Sequence, residues 1–346
     1  MKVLHLLKSN KYSGAENVVL TIMDICSDDE MIYASPEGSI HKVVEERGHR
    51  FYPLPELSIR EVKNAIRAVH PDIVHAHDFS MASLAAWSAG DIPVIAHLHN
   101  NPPWLKRICP KSIAFALALP HIRQVVSVSK AIENEYVFRA LMKNKNAVLG
   151  NVVNIETVHR KAEEPCDCTQ VDLVFLGRMN EPKCPLLFCQ IVELIKSEHP
   201  SITARMIGDG DLMPQVQEYI RSHALECTIE LVGFQSNPYP YLNTGKIMVM
   251  PSAWEGFGLV AVEAMCLGKP VVCSGAGGLA DIVDENCGAK CERIEEYCRT
   301  IIELLQIEKT YIKMSENAKN RSKRYANMSE YKTVIKSVYN KALRGD

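Results

Sequence analysis

The chain has 346 residues, of which 47% are hydrophobic, 23% charged and 7% aromatic, and a formal net charge of −2 at pH 7. That is the balance of an ordinary soluble protein long enough for two domains, each with its own core. It gives no whole-protein electrostatic reason to bind nucleic acid, and no run reaches the roughly 20 apolar residues of a membrane span.

The opening MKVLHLLKSNKYSG reads as a strand and not as a secretory signal, because Lys8 breaks the apolar run and no small-residue cleavage site follows. The twelve cysteines are accordingly expected as thiols, most of them small hydrophobes of the core. Cys166-x-Cys168 and Cys287-x3-Cys291 occur without any CxxC pair, so no zinc site is expected.

Along the first half, short apolar runs alternate with helical patterns. KVLHLL, MIYAS, RFYPL, DIVHAH, PVIAHLH and QVVSVS read as strands. GAENVVLTIMDIC, IHKVVEERG, SIREVKNAIRAVH, SMASLAAWSAG and KAIENEYVFRALM read as the helices between them. Around residues 155–170 the pattern stops in a polar, proline-bearing stretch that suits a linker. A second series follows: strands VDLVFLGR, ITARMIG, CTIELVG, IMVMPS and PVVCS, with helices PLLFCQIVELIKSEH, LMPQVQEYIRSHAL and LVAVEAMCLG. The last 40 or so residues read as helices rich in Lys and Glu. Strand–helix alternation specifies parallel sheets covered on both faces. Two such doubly wound domains in tandem place a cleft between them, with the carboxyl ends of both sheets available to one ligand.

The motif PSAWEGFGLVAVEAMCLG sets Gly256 and Gly258 in a loop feeding a helix that stops at Gly268. Free N–H groups and the positive end of the helix dipole meet there, which suits a phosphate or a sugar oxygen. Glu255 in that loop and Glu263 two turns into the helix can each accept two hydroxyl donors, as the vicinal diol of a ribose or hexose requires. The alternative places Glu255 against the helix dipole and turns Glu263 to solvent. LGRMNEPK puts Arg178 and Lys183 in one loop after a strand, a planar fork and a point charge that together suit a diphosphate, although basic surface pairs are common. In MIGDGDLM, Gly208-x-Gly210 lacks the third glycine of a dinucleotide fingerprint, and Asp209 and Asp211 fit a turn and helix cap better than a metal pair. Gly14 and Ala15 are small residues where a ligand can reach a helix N-terminus. Nine of the twelve histidines precede residue 155. His75-x-His77 and His97-x-His99 each share a face if extended, open to readings as metal ligands, substrate contacts or satisfied core residues.

Together these residues resemble glycosyltransferase family 4, the retaining nucleotide-sugar transferases of the GT-B fold, over nearly the whole chain. The resemblance is densest in PSAWEGFGLVAVEAMCLGKPVVCSGAGGLADIV, and LGRMNEPK, MIGDGDL, LVGF and SGAE stand in the family's order. It implies two Rossmann-like domains facing a central cleft: residues 1–155 on the acceptor side, a linker at 156–170, and a nucleotide-sugar domain at 171–330. A C-terminal helix at 331–346 would pack back on the first domain. It further implies that Glu255 and His99 serve catalysis. Gly14, Ala15, Arg178, Lys183, Gly256, Phe257, Gly258, Leu259 and Glu263 would bind the donor, with Glu263 on the ribose and the two cations on the diphosphate. No metal or other cofactor is implied. LGNVVN departs from the family's Asn-Gly-Val-Asp, with Val152 and Asn154 replacing Gly and Asp.

The expected activity is retaining transfer of a sugar from a nucleotide diphosphate sugar, UDP-linked as is commonest in the family, to a glycan or lipid-linked acceptor in cell-surface polysaccharide synthesis. The competing readings are a nucleotide-sugar epimerase of related fold and an inactive sugar-nucleotide-binding protein. The segment at residues 100–123, NNPPWLKRICPKSIAFALALPHIR, combines aromatic and aliphatic groups with cations. It is expected to hold a cytoplasmic protein peripherally on the inner face of the membrane, the alternative being a core helix.

Overall fold

The computed structural model describes residues 1–345. The chain divides into two compact units, Met1–Val152 together with the chain from Asn327 onward, and Val153–Ala326.

In the first unit, β1 (Lys2–Leu6), β2 (Glu30–Ser35), β3 (Arg50–Pro53), β4 (Ile73–His77), β5 (Val94–Leu98), β6 (Gln124–Ser127) and β7 (Asn146–Val148) form one sheet in the order β3-β2-β1-β4-β5-β6-β7. Every pairing is parallel. The strand order reverses direction between β1 and β4, so the loops after those two strands diverge and leave a crevice at their carboxyl ends. Strands β4 and β5 are buried along their whole length, as central parallel strands are, yet they carry His75, His77 and His97 where Val or Leu is usual.

The C-terminal helix Met328–Arg344 belongs to this unit and buries Tyr331, Ile335, Val338, Tyr339 and Ala342. Its Lys332 and Lys336 pair with Asp28 and Asp29, and the N-terminal ammonium also pairs with Asp29.

In the second unit, β8 (Val171–Leu176), β9 (Ala204–Ile207), β10 (Ile229–Gly233), β11 (Gly245–Met250), β12 (Val271–Cys273) and β13 (Gly288–Lys290) are parallel in the order β10-β9-β8-β11-β12-β13. Here the reversal falls between β8 and β11. Phe175, Phe188, Ile191, Val192, Met206, Ile247 and Val249 anchor a continuous apolar core under the helices.

Several expectations need correction. The predicted helix KAIENEYVFRALM ends at Glu135. Tyr136 leaves the helix at φ −70° and ψ 123° because its ring is drawn into a buried cluster with Phe115 and Phe79, and its hydroxyl donates to Ser112 O at 2.7 Å. The stretch read as a linker contains the helix Ile155–Ala162, capped by the Asn154 side chain. Asp211 does not cap the following helix, which begins at Met213 without a side-chain cap. Cys166 and Cys168, expected as thiols, are joined in a disulfide. No helix among the described residues is long and apolar enough to cross a membrane.

Candidate active site

In the second unit the loops after β8, β9, β11 and β12 meet around the reversal of strand order. Backbone contacts fix them to one another: Gly177 N donates to Ile207 O, Met179 N to Asp209 O, Leu212 N to Met179 O, and Ala253 N to Pro182 O, all at 2.8–3.0 Å. Gly208 and Gly210 make this approach possible. A Cβ at Gly208, where φ is +131°, would lie 1.9 Å from Gly177 O, and one at Gly210 would lie 2.5 Å from Met179 O. These glycines therefore serve to seat the loop that carries Arg178 and Lys183. Asp209 keeps its carboxylate on the Gly210 N–H at 2.7 Å, a turn contact.

Lys183 reaches across from the β8 loop and forms an ion pair with Glu255 in the β11 loop, with side-chain exposures of only 22% and 13%. Arg178 is exposed and has no ion-pair partner among the described residues. Gly256, Phe257 and Gly258 are buried behind Glu255, and Gly258 is the N-terminal cap of the helix Leu259–Cys266 at φ +105°. A side chain at Gly258 would also meet Leu279 at 2.8 Å, and Gly278 N closes the loop onto Glu255 O at 3.1 Å. The helix thus presents its unpaired N–H groups beside Lys183, Glu255 and Leu259, an arrangement suited to an anion flanked by hydroxyls.

Glu263 does not face solvent. It is buried on that helix, and Oε1 accepts from the Tyr239 hydroxyl at 3.0 Å. Burial pushes its carboxyl above the usual carboxylate range, against the opposing pull of the Tyr239 hydrogen bond and the Lys161 charge. Tyr239 escaped sequence reasoning: it sits on a five-residue helix, Tyr239–Asn243, too short to leave a periodic signal.

In the first unit, Gly14 and Ala15 open the helix Gly14–Ile25 at the carboxyl end of β1, as the motif implied. Ser13 donates to the buried carboxylate of Glu16 in the same turn. Lys8 and Asp78, on the two loops that flank the strand reversal, lie 3.9 Å apart.

His99 follows β5 and donates its backbone N–H to Asp78 Oδ1 at 3.2 Å. Its ring belongs to a cluster with His5, His75, His77 and His97, all buried. Register places them together: His5 pairs with His75 across β1 and β4, and His77 with His97 across β4 and β5. Alternation along each strand then keeps all five on one face. His75 Nδ1 meets the Tyr339 hydroxyl at 3.0 Å, and the rings of His97 and His99 stack at 4.3 Å. Burial lowers the proton affinity of all five, that of His5 to about 3.

His5, His75 and His77, and His77, His97 and His99, form two groups close enough to hold a metal ion. His77 is common to both, and its two nitrogens are already bonded to His5 Nδ1 and His99 Nε2. A metal would have to displace those bonds.

Comparison with known proteins gives the family and the fold. A model described as Glycosyltransferase Family 4 matches residues 13–157, and one described as Glycosyl transferases group 1 matches residues 159–321. An uncharacterized glycosyltransferase of Methanocaldococcus jannaschii is 27% identical, with 76% of this chain and 74% of that protein covered. The N-acetylgalactosamine-N,N'-diacetylbacillosaminyl-diphospho-undecaprenol 4-alpha-N-acetylgalactosaminyltransferase of Campylobacter jejuni is 23% identical over 93% of this chain and 95% of its own. HepE of Anabaena, solved in complex with UDP and glucose, matches with a TM-score of 0.84 at 18% identity, covering 98% of this chain and 99% of that one. Sucrose-phosphate synthase of Thermosynechococcus elongatus matches at 0.78 and 15% identity over the full length of both chains. The fold is the expected GT-B pair of Rossmann-like sheets. The protein is a glycosyltransferase, and the chain belongs to glycosyltransferase family 4.

Proposed function

We propose that this protein moves a hexose from a UDP-linked donor to a lipid-linked glycan, with retention at the anomeric carbon, in the building of cell-surface polysaccharide. The observation that carries the donor half is the meeting of Lys183, Glu255 and the N-terminus of helix Leu259–Cys266 where the strand order of the second sheet reverses. Lys183 and Arg178 stabilise the diphosphate as the bond to the anomeric carbon breaks, and the helix N-terminus adds fixed N–H donors. Glu255 holds sugar hydroxyls, and Glu263, beside Tyr239, takes the ribose. Gly256, Phe257, Gly258 and Leu259 line the donor, and Gly14 and Ala15 leave room for a donor oxygen at the N-terminus of their own helix. His99 meets a hydroxyl of the reacting sugar. The charge on the leaving diphosphate is met by these side chains, so the reaction requires no divalent ion.

The UDP assignment is supported by HepE, solved with UDP-glucose, and the acceptor by the name of the Campylobacter relative, which specifies a diphospho-undecaprenol substrate. The segment at residues 100–123 supports attachment to a membrane. Leu105, Phe115, Ala118 and Leu119 are core residues, whereas Ile108 is 71% and Leu117 61% exposed, with Ile113 beside them. Lys106, Arg107 and Lys111 lie in the same segment and are exposed, Lys106 paired with Glu135 at 3.5 Å. Each such cation contributes about 1 kcal/mol near an anionic surface, enough for salt-sensitive binding.

Incubation with a panel of nucleotide sugars and a polyprenyl-diphosphate glycan, in the presence of excess chelator, tests the proposal. Transfer from a UDP-hexose with the donor's anomeric configuration kept is expected, together with flotation on anionic liposomes at low salt. Inversion, a strict need for added metal, or equal use of a water-soluble acceptor with no flotation would each overturn the corresponding part.

A further inference from the structure

We infer that the thioether of Met31 sets the tautomer of His99, leaving Nδ1 of that ring a hydrogen-bond acceptor for a substrate hydroxyl. The acceptor role rests on the proposed placement of His99 at the substrate; the proton order does not.

Three of the buried histidines form a directed chain. His5 Nδ1 lies 3.0 Å from His77 Nε2, and His77 Nδ1 lies 2.9 Å from His99 Nε2. Beyond one end, His5 Nε2 lies 3.4 Å from Met31 Sδ, and at the other, His99 Nδ1 is buried without a partner among the described residues. A neutral imidazole carries one N–H and one lone pair, so fixing the proton on one ring fixes it on the next. Any break in the order would set two lone pairs, or two N–H groups, against each other across about 3 Å.

Two orders remain. If every proton points from His5 toward His99, the lone pair of His5 Nε2 faces the sulfur, which is itself an acceptor, and His99 buries an N–H with nothing to accept it. If every proton points the other way, His5 Nε2–H donates to Met31 Sδ, His77 Nε2–H to His5 and His99 Nε2–H to His77. Each N–H then has an acceptor. The single unmet group is a lone pair on His99 Nδ1, and nature tolerates unmet buried acceptors better than unmet buried donors. Both ends of the chain therefore select the same order.

The lowered proton affinity of the cluster keeps the rings neutral, so the order persists near neutral pH. The nitrogen His99 leaves over is a lone pair. It complements a hydroxyl donor and repels a carbonyl or phosphate oxygen, which gives the site a preference for the polyol part of its substrate. Met31 and His77 are positioning residues in this account.

Two-bond proton–nitrogen correlation spectra of the whole protein, labelled with nitrogen-15 in histidine, read the tautomer of each ring, with His99 assigned from its loss in His99→Asn. The expected spectrum shows His99 protonated at Nε2 and bare at Nδ1. Met31→Leu keeps the volume and removes the acceptor, and a second His99 tautomer should appear. Met31→Gln supplies a carbonyl oxygen and should restore the single form. A parent His99 protonated at Nδ1, or a Met31→Leu spectrum with His99 unchanged, overturns the proton order. Should the order hold while His99→Ala transfers sugar as well as the parent, the acceptor role falls alone and the relay stands.

Discussion

Lys183 and Glu255 neutralise each other within one loop cluster, and that makes the two cations of the site unequal. Removing exposed Arg178 takes away one charge-assisted contact, a loss of about 1.5–3 kcal/mol or roughly ten- to a hundredfold in diphosphate affinity. Removing Lys183 also leaves the Glu255 carboxylate unpaired beside the incoming anion. Lys183→Ala should therefore weaken UDP binding more than Arg178→Ala, and Lys183→Ala with Glu255→Gln should recover part of the difference in a double-mutant cycle. Equal losses with no recovery would show that the pair is not at the diphosphate.

Glu263 offers a test by pH. Its carboxyl is held above its ordinary 4.5 by burial. A raised folded value favours the fold below the unfolded value, and that stabilisation is lost as pH rises from 4.5 through the folded value. Glu263→Gln, which cannot ionise, should melt above the parent at neutral pH and show little gain below pH 4.5. Nucleotide affinity should fall about tenfold if the carboxylate binds ribose. A melting difference independent of pH would contradict the assignment of the shift to Glu263.

At the scale of elements, all strands but the three-residue β7 and β13, their parallel pairing and the helix Leu259–Cys266 were legible because apolar periodicity and glycine punctuation act locally. Less was legible where tertiary packing decides. The end of the helix at Glu135 follows from the burial of Tyr136 against Phe115, a contact remote in sequence. The role of Gly208 and Gly210 was likewise hidden, since a glycine pair before a helix gives no hint that another loop's carbonyl lies against it. The Lys183–Glu255 pairing joins positions 72 apart and follows only from the strand order.

That packing carries a prediction. Gly208→Ala meets both an unfavourable φ and the backbone oxygen of Gly177, so the β8 loop must move. A loss of about 1–3 kcal/mol in stability is expected. It should come with weaker UDP binding although residue 208 itself need not touch the ligand. Denaturant unfolding and a binding titration on the same sample check it, and unchanged affinity would show that the loop does not position Arg178 and Lys183.

For the molecule as a whole, the five buried histidines make the first unit the acid-labile one. Each is neutral in the fold and protonates when unfolded, so its contribution is complete above 6.5 and drains away as pH falls below it, at about 1.4 kcal/mol per pH unit. All five act in the same direction, opposed at His99 by the neighbouring Asp78 charge. Against a typical stability of about 5–15 kcal/mol, the first unit should lose its fold on acidification below 6.5. Trp87 and Trp104 report on it once Trp254 of the second unit is changed to Phe. Native fluorescence retained at pH 4 would contradict the burial of neutral imidazoles.

In the proposed function, the loops of the second unit recognise a UDP-linked sugar without a metal. Titration calorimetry of the intact protein with UDP-hexoses, in excess chelator, measures this most directly. Saturable one-to-one binding is expected, which Arg178→Ala with Lys183→Ala abolishes while the melting profile of the variant stays cooperative. Absence of binding across the UDP-sugar panel, or affinity undiminished in that double variant, would contradict it.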